Sequence, residues 1–145
     1  MNINRAIKSF VLSYFLCCLN QAKGEESPLV VMHPGTQITP ALGQTTLRAI
    51  FGMHLRSWED GTPIKVFVLP SESPVHSTFC KKILNVYPHQ LQSSWDRLVF
   101  SGTGQAPVEV ESEEQMHRKI ASTPGAIGYL NRTLVDGAVQ TISPR

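Results

Sequence analysis

The chain has 145 residues, of which 41% are hydrophobic and 17% charged, and its formal net charge is +2. That length bounds it to a single domain with one core. The near-neutral charge excludes the concentrated basic surface that nucleic acid or an anionic membrane requires.

Residues 1–24 read as a secretory signal peptide. Arg5 and Lys8 precede an apolar run from Phe10 to Leu19, broken only by Ser13, and Ala22-Lys23-Gly24 offers small residues at a cleavage site before Glu25. The run is about half of the ~20 residues a membrane span needs, so an anchor is disfavoured. Cys17 and Cys18 lie inside the run without the small residues that lipid attachment needs. Cleavage removes Arg5, Lys8 and Lys23, so 13 basic residues become 10 against 11 acidic ones, and the mature charge is −1. Cys80 is then the sole cysteine, unable to form an internal disulfide, and its apolar surroundings predict burial. The expected location is the periplasm. The domain is 25–145, with no membrane span.

Leu29-Val30-Val31-Met32 is a short apolar run ended by His33-Pro34-Gly35, and it predicts a buried strand. Thr45 or Thr46 can cap a helix whose apolar face is Leu47, Ile50 and Phe51, with Gly52 placed to end it. Trp58 to Pro63 is a turn in which Asp60-Gly61 supplies a positive φ. Ile64 to Val68 is β-branched and apolar, the second strand. Ser73 is an N-cap with Pro74 at the first helical position. Val75, Phe79, Cys80, Ile83 and Leu84 follow at helical spacing. Tyr87-Pro88 breaks that helix, and Leu91, Trp95, Leu98 and Val99 mark the next. Ser101 to Gly104 is a loop. Pro107 to Val110 reads as a short strand. Ser112 and Gln115 form a capping-box pattern ahead of a helix carrying Met116 and Ile120. Pro124-Gly125 turns into a strand at Ala126 to Leu130, and a less regular strand follows between Leu134 and Ile142.

This alternation predicts an α/β fold, a mostly parallel sheet covered by helices. Trp58, Tyr87, Trp95 and Tyr129 read as core or core-edge residues. His76 and Cys80 stand at i, i+4, a spacing that can seat two metal ligands, but Cys80 belongs to the apolar stripe and no second pair completes a set. No cofactor or metal is expected. Glu109, Glu111, Glu113 and Glu114 read as a solvated face at a helix start. Neither a nucleophile elbow nor a dinucleotide fingerprint appears, so an enzyme is disfavoured.

Three segments together carry a resemblance: Leu47-Arg48-Ala49-Ile50-Phe51-Gly52, Trp58-Glu59-Asp60-Gly61-Thr62-Pro63-Ile64 and Pro124-Gly125-Ala126-Ile127-Gly128-Tyr129. In order and spacing they resemble the phosphate-binding proteins of ABC importers, over roughly residues 29–130. The likeness is to one lobe of that two-lobed, type II periplasmic-binding-protein-like fold, the inserted lobe that follows the hinge strand. It implies a non-enzymatic module that binds phosphate or another oxyanion at the loop after the second strand. Here that loop is Leu69-Pro70-Ser71-Glu72-Ser73-Pro74-Val75, so the candidate anion contacts are Ser71, Ser73, Val75 and His76. The loop departs from the family pattern. Ser73 matches its serine, but Leu69 stands for its arginine, Pro74 for its glycine and Val75 for its threonine. The site implied is therefore weak or altered. The alternative is a ligand-free interaction or scaffold domain that engages a protein partner or itself.

Overall fold

The structure is a computed structural model and describes residues 26–38 and 41–144. The expected signal peptide and its expected cleavage point lie outside the described residues. The strands are β1 (Leu29–Met32), β2 (Lys65–Val68), β3 (Val108–Glu109), β4 (Ala126–Leu130) and β5 (Gln140–Ile142). The helices are α1 (Gln44–Phe51), α2 (Pro74–Phe79), α3 (Pro88–Phe100) and α4 (Glu113–Ser122).

The five strands form one sheet in the order β3-β2-β4-β1-β5. β2 pairs parallel with both β3 and β4, while β1 pairs antiparallel with β4 and with β5. Four strands therefore run one way and β1 runs the other. The fold is α/β with a mixed, mostly parallel sheet flanked by helices, as the alternation predicts. Every residue of β4 is buried, which suits an inner strand covered on both faces. One core links Val30, Val31 and Met32 of β1 with Leu47, Ile50 and Phe51 of α1, Phe79, Trp95, Met116, Ile120 and Tyr129.

Local signals account for most boundaries. Gly61 has φ +84, and Asp60 Oδ1 accepts the Thr62 N–H at 2.8 Å, closing the turn before β2. The Ser112 hydroxyl accepts the Gln115 N–H at 3.1 Å, and the Gln115 side chain reaches back to the Glu111 N–H, one residue before the cap. Four features differ from expectation, the last strand among them: β5 covers only Gln140–Ile142, and Arg132–Leu134 is a 3-10 turn. α1 begins at Gln44 behind Gly43, so Thr45 and Thr46 lie inside it rather than capping it. The helix that starts at Pro74 does not stay α-helical: Cys80–Leu84 forms a π turn, ended by Asn85 at φ 52. Tyr87 is 58% exposed as the N-cap of α3, stacked on His89, whereas Trp58, Trp95 and Tyr129 are core.

The π turn is held from outside its own segment. Its last carbonyls lack intrahelical donors. Arg48 Nε of α1 donates to the Leu84 carbonyl at 2.5 Å, Gln44 Nε2 donates to the Ile83 carbonyl at 2.9 Å, and Arg48 Nη2 donates to Gln44 Oε1. Arg48→Met keeps the aliphatic stem and removes the charged donors. It is expected to lower stability by about 1–3 kcal/mol, read as a shift in urea midpoint at constant slope. An unshifted midpoint would mean that the π turn stands without this clamp.

Candidate functional site

β2, β3 and β4 point the same way, so their C-terminal ends share one rim of the sheet. In open α/β sheets ligands bind beyond such ends. Leu69 to Ser73 leaves β2 there, Glu111-Ser112 leaves β3, and Asn131 leaves β4. The rim is stitched by Glu113, whose carboxylate accepts the Asn131 N–H at 2.6 Å and Asn131 Nδ2 at 3.0 Å. Glu72, Glu109, Glu111 and Glu114 are exposed. The rim's ionised groups are thus largely acidic.

The candidate loop is a tight turn. The Ser73 N–H donates to the Pro70 carbonyl at 2.9 Å, which leaves Ser71 and Glu72 exposed at the tip. Ser73 Oγ accepts the His76 N–H at 3.4 Å, a long cap bond. Pro74 has no N–H to offer. The Val75 N–H is then the backbone donor of the first helical turn that no protein group takes up among the described residues. The loop can present an anion with one N–H and the hydroxyls of Ser71 and Ser73. Leu69, where the resemblance leads one to expect an arginine, is 3% exposed and belongs to the core.

His76 occupies a different environment from Ser71 and Ser73. It is 1% exposed, so its ring sits beneath the loop rather than at its surface. Its Nδ1 is 2.5 Å from the Tyr129 hydroxyl, and its Nε2 is 3.5 Å from Cys80 Sγ. The Tyr129 hydroxyl also accepts the Leu69 N–H at 2.9 Å. The neutral Nε2–H tautomer is the arrangement that uses every donor: the Tyr129 hydroxyl accepts from Leu69 and gives its own proton to His76 Nδ1, and Nε2–H is directed at sulfur. Burial depresses the His76 pKa, pushes the Cys80 thiol up to about 12 and raises the Tyr129 hydroxyl well above its ordinary value. All three are neutral near pH 7. Cys80 is buried as expected, and its raised pKa and burial make it a poor nucleophile.

The i, i+4 spacing of His76 and Cys80 is thus used for a mutual contact. Tyr129, 53 residues from His76, completes the network. No local signal pointed to that partner. No cluster of three or more His, Cys, Asp or Glu groups suited to a metal occurs among the described residues. None of the helices described there is long and apolar enough to cross a membrane.

No family model matches the sequence, and no curated protein matches it. Solved structures do match the fold. An ABC-type phosphate transport receptor from Vibrio cholerae superposes with a TM-score of 0.62 at 16% identity, covering 81% of this chain and 45% of that one. PstS from Borrelia burgdorferi superposes with a TM-score of 0.64 at 17% identity, covering 83% of this chain and 47% of that one. A Clostridium perfringens protein whose crystal structure holds bound phosphate gives 0.66 at 15% identity, covering 82% of this chain and 45% of that one. The chain therefore spans less than half the length of these neighbours. Its fold is that of one lobe of a periplasmic-binding-protein-like structure.

Proposed function

We propose that this protein is an exported, non-enzymatic binding module whose Leu69–Ser73 loop and the start of α2 receive an oxyanion, phosphate first among them. The supporting observation is the Ser73-capped helix start at the C-terminal end of β2, in a lobe with the fold of phosphate-binding proteins. Free donors and the positive end of the helix dipole favour an anion there. With no arginine and with Glu72 at the loop tip, the affinity is weak.

The test is thermal unfolding of the purified protein against phosphate, sulfate and a chloride control at matched ionic strength. Phosphate at 100 times its dissociation constant stabilises by about 2.7 kcal/mol. Ser73→Ala should abolish that increment in addition to removing about 1 kcal/mol of cap energy. A flat response to millimolar phosphate rejects the reading.

A second reading is a ligand-free interaction domain in an envelope assembly. It is favoured by Phe100 at 89% exposure, with Val99 and Val108 each at least half exposed. It expects no anion response and a size that depends on concentration.

A further inference from the structure

His76 touches both ends of the Leu69–Ser73 loop. At one end its ring meets the Tyr129 hydroxyl that holds the Leu69 N–H. At the other its own N–H donates to Ser73 Oγ. The span between these anchors is the exposed turn of Ser71 and Glu72. We infer that His76 couples the conformation of this loop to pH, so that protonation of its imidazole releases the Leu69 and Ser73 ends together.

Hydrogen-bond parity at the ring changes on protonation. A protonated imidazole carries N–H on both nitrogens and accepts nothing. Nδ1–H would then face a hydroxyl that already accepts from Leu69. The hydroxyl would have to accept twice and turn its own proton away from the ring nitrogen, giving up the bond it donates there. The groups facing the ring are Cys80 from its own helix, Tyr129 from β4 and the Trp95 ring of α3 at 6.4 Å between centroids. None carries a charge that would offset an imidazolium. Glu109 of β3 and Glu113 of α4 act on Tyr129 only through space. The released state hydrates the ring and frees both anchors.

The sign follows from burial. The folded His76 pKa lies below its ordinary value of 6.5. The closed loop therefore binds fewer protons than the open one. Its stability is complete above pH 6.5 and declines as pH falls towards the folded pKa. This is regulation of the loop proposed to hold the anion, but opening needs no anion, so either idea can fail without the other.

The test is hydrogen exchange on the full chain without phosphate, from about pH 7.5 to about pH 5, with rates corrected for intrinsic exchange. Protection at the Leu69 and His76 amides should fall by up to about tenfold per pH unit below about pH 6.5. The inner amides of β1 and β4 should keep theirs. In Tyr129→Phe, Leu69 should be weakly protected at every pH, with no slope. In His76→Leu the slope should vanish. Leu69 protection that is flat with pH, or that falls only in step with β1 and β4, overturns the inference. If His76→Leu does not fold, the His76 ring is titrated by NMR in the unmodified protein, and protonation that leaves the Leu69 amide unchanged overturns it equally. A parallel series with phosphate reports on the anion reading alone.

Discussion

Gly125→Ala is expected to destabilise the protein by about 2–5 kcal/mol. Gly125 sits at φ +77, where an L-residue with a Cβ is strained by about 1–2 kcal/mol. A Cβ there would also overlap the Pro63 carbonyl oxygen, a backbone atom that cannot rotate away. Forcing extra atoms into a packed site adds about 1–3 kcal/mol. The surrounding contacts leave little room to relax. The Gly125 carbonyl accepts from Trp58 Nε1 at 3.1 Å and from the Lys65 N–H at 3.0 Å, so one glycine joins the turn before β2 to the start of β4. The control is Gly61→Ala, at φ +84 with nothing within 4 Å of its added Cβ. It carries the backbone strain without the overlap, and about 1–2 kcal/mol is expected. Thermal unfolding of both variants checks this, with a drop of roughly 5–15 °C expected for Gly125→Ala. Equal losses would show that the Pro63 carbonyl yields, and the joint would be softer than its contacts imply.

Tyr129→Phe is expected to cost about 2–5 kcal/mol, although it removes one atom and keeps the ring. The ring is stacked on Phe79 at 4.0 Å between centroids, and phenylalanine preserves that packing. The lost oxygen is the acceptor for a buried Leu69 N–H and the donor to His76 Nδ1. Each buried group left without a partner costs about 1–3 kcal/mol. The loss should be coupled to His76. In a His76→Leu background, Tyr129→Phe strands only the Leu69 N–H, so a double-mutant cycle should yield an interaction of about 1–2 kcal/mol. Additive losses would mean that the hydroxyl and the imidazole do not share a proton in solution, and the assigned tautomer would be wrong.

These two residues also separate what a resemblance conveys from what it does not. The segments 58–64 and 124–129 carry the likeness to phosphate-binding proteins, yet their contacts run to one another. Trp58 bonds Gly125, Gly125 lies against Pro63, and a Cβ at Gly128 would meet Met116 Sδ of α4 at 2.5 Å. They build the lobe. Tyr129 alone extends from them to the loop, through Leu69. Retention of these motifs therefore reports fold, and it is compatible with both the anion-binding and the interaction readings. Any functional difference is proposed to lie in the loop itself, with its buried Leu69 and with Pro74 lacking an N–H.

The sequence by itself determined the features that rest on neighbours along the chain. Apolar runs and helical spacing marked the strands β1, β2 and β4 and the four helices. Ser73, Ser112 and Asp60-Gly61 marked caps and a turn, because each bonds a backbone group two or three residues away. Tertiary structure decided the rest. The insertion of β1 antiparallel between β4 and β5 depends on pairing across some hundred residues, from Leu29 to Leu130. The π turn at Cys80 to Leu84 depends on Gln44 and Arg48, which lie 36 to 39 residues before the carbonyls they cap. His76 appeared on a helix as a candidate contact at the loop, and Tyr129 drew it into the core. A periodic pattern tells which face of an element is apolar, but not which distant polar group will meet a histidine on that face. That choice is made when the sheet and helices close on each other and every buried donor must find its acceptor.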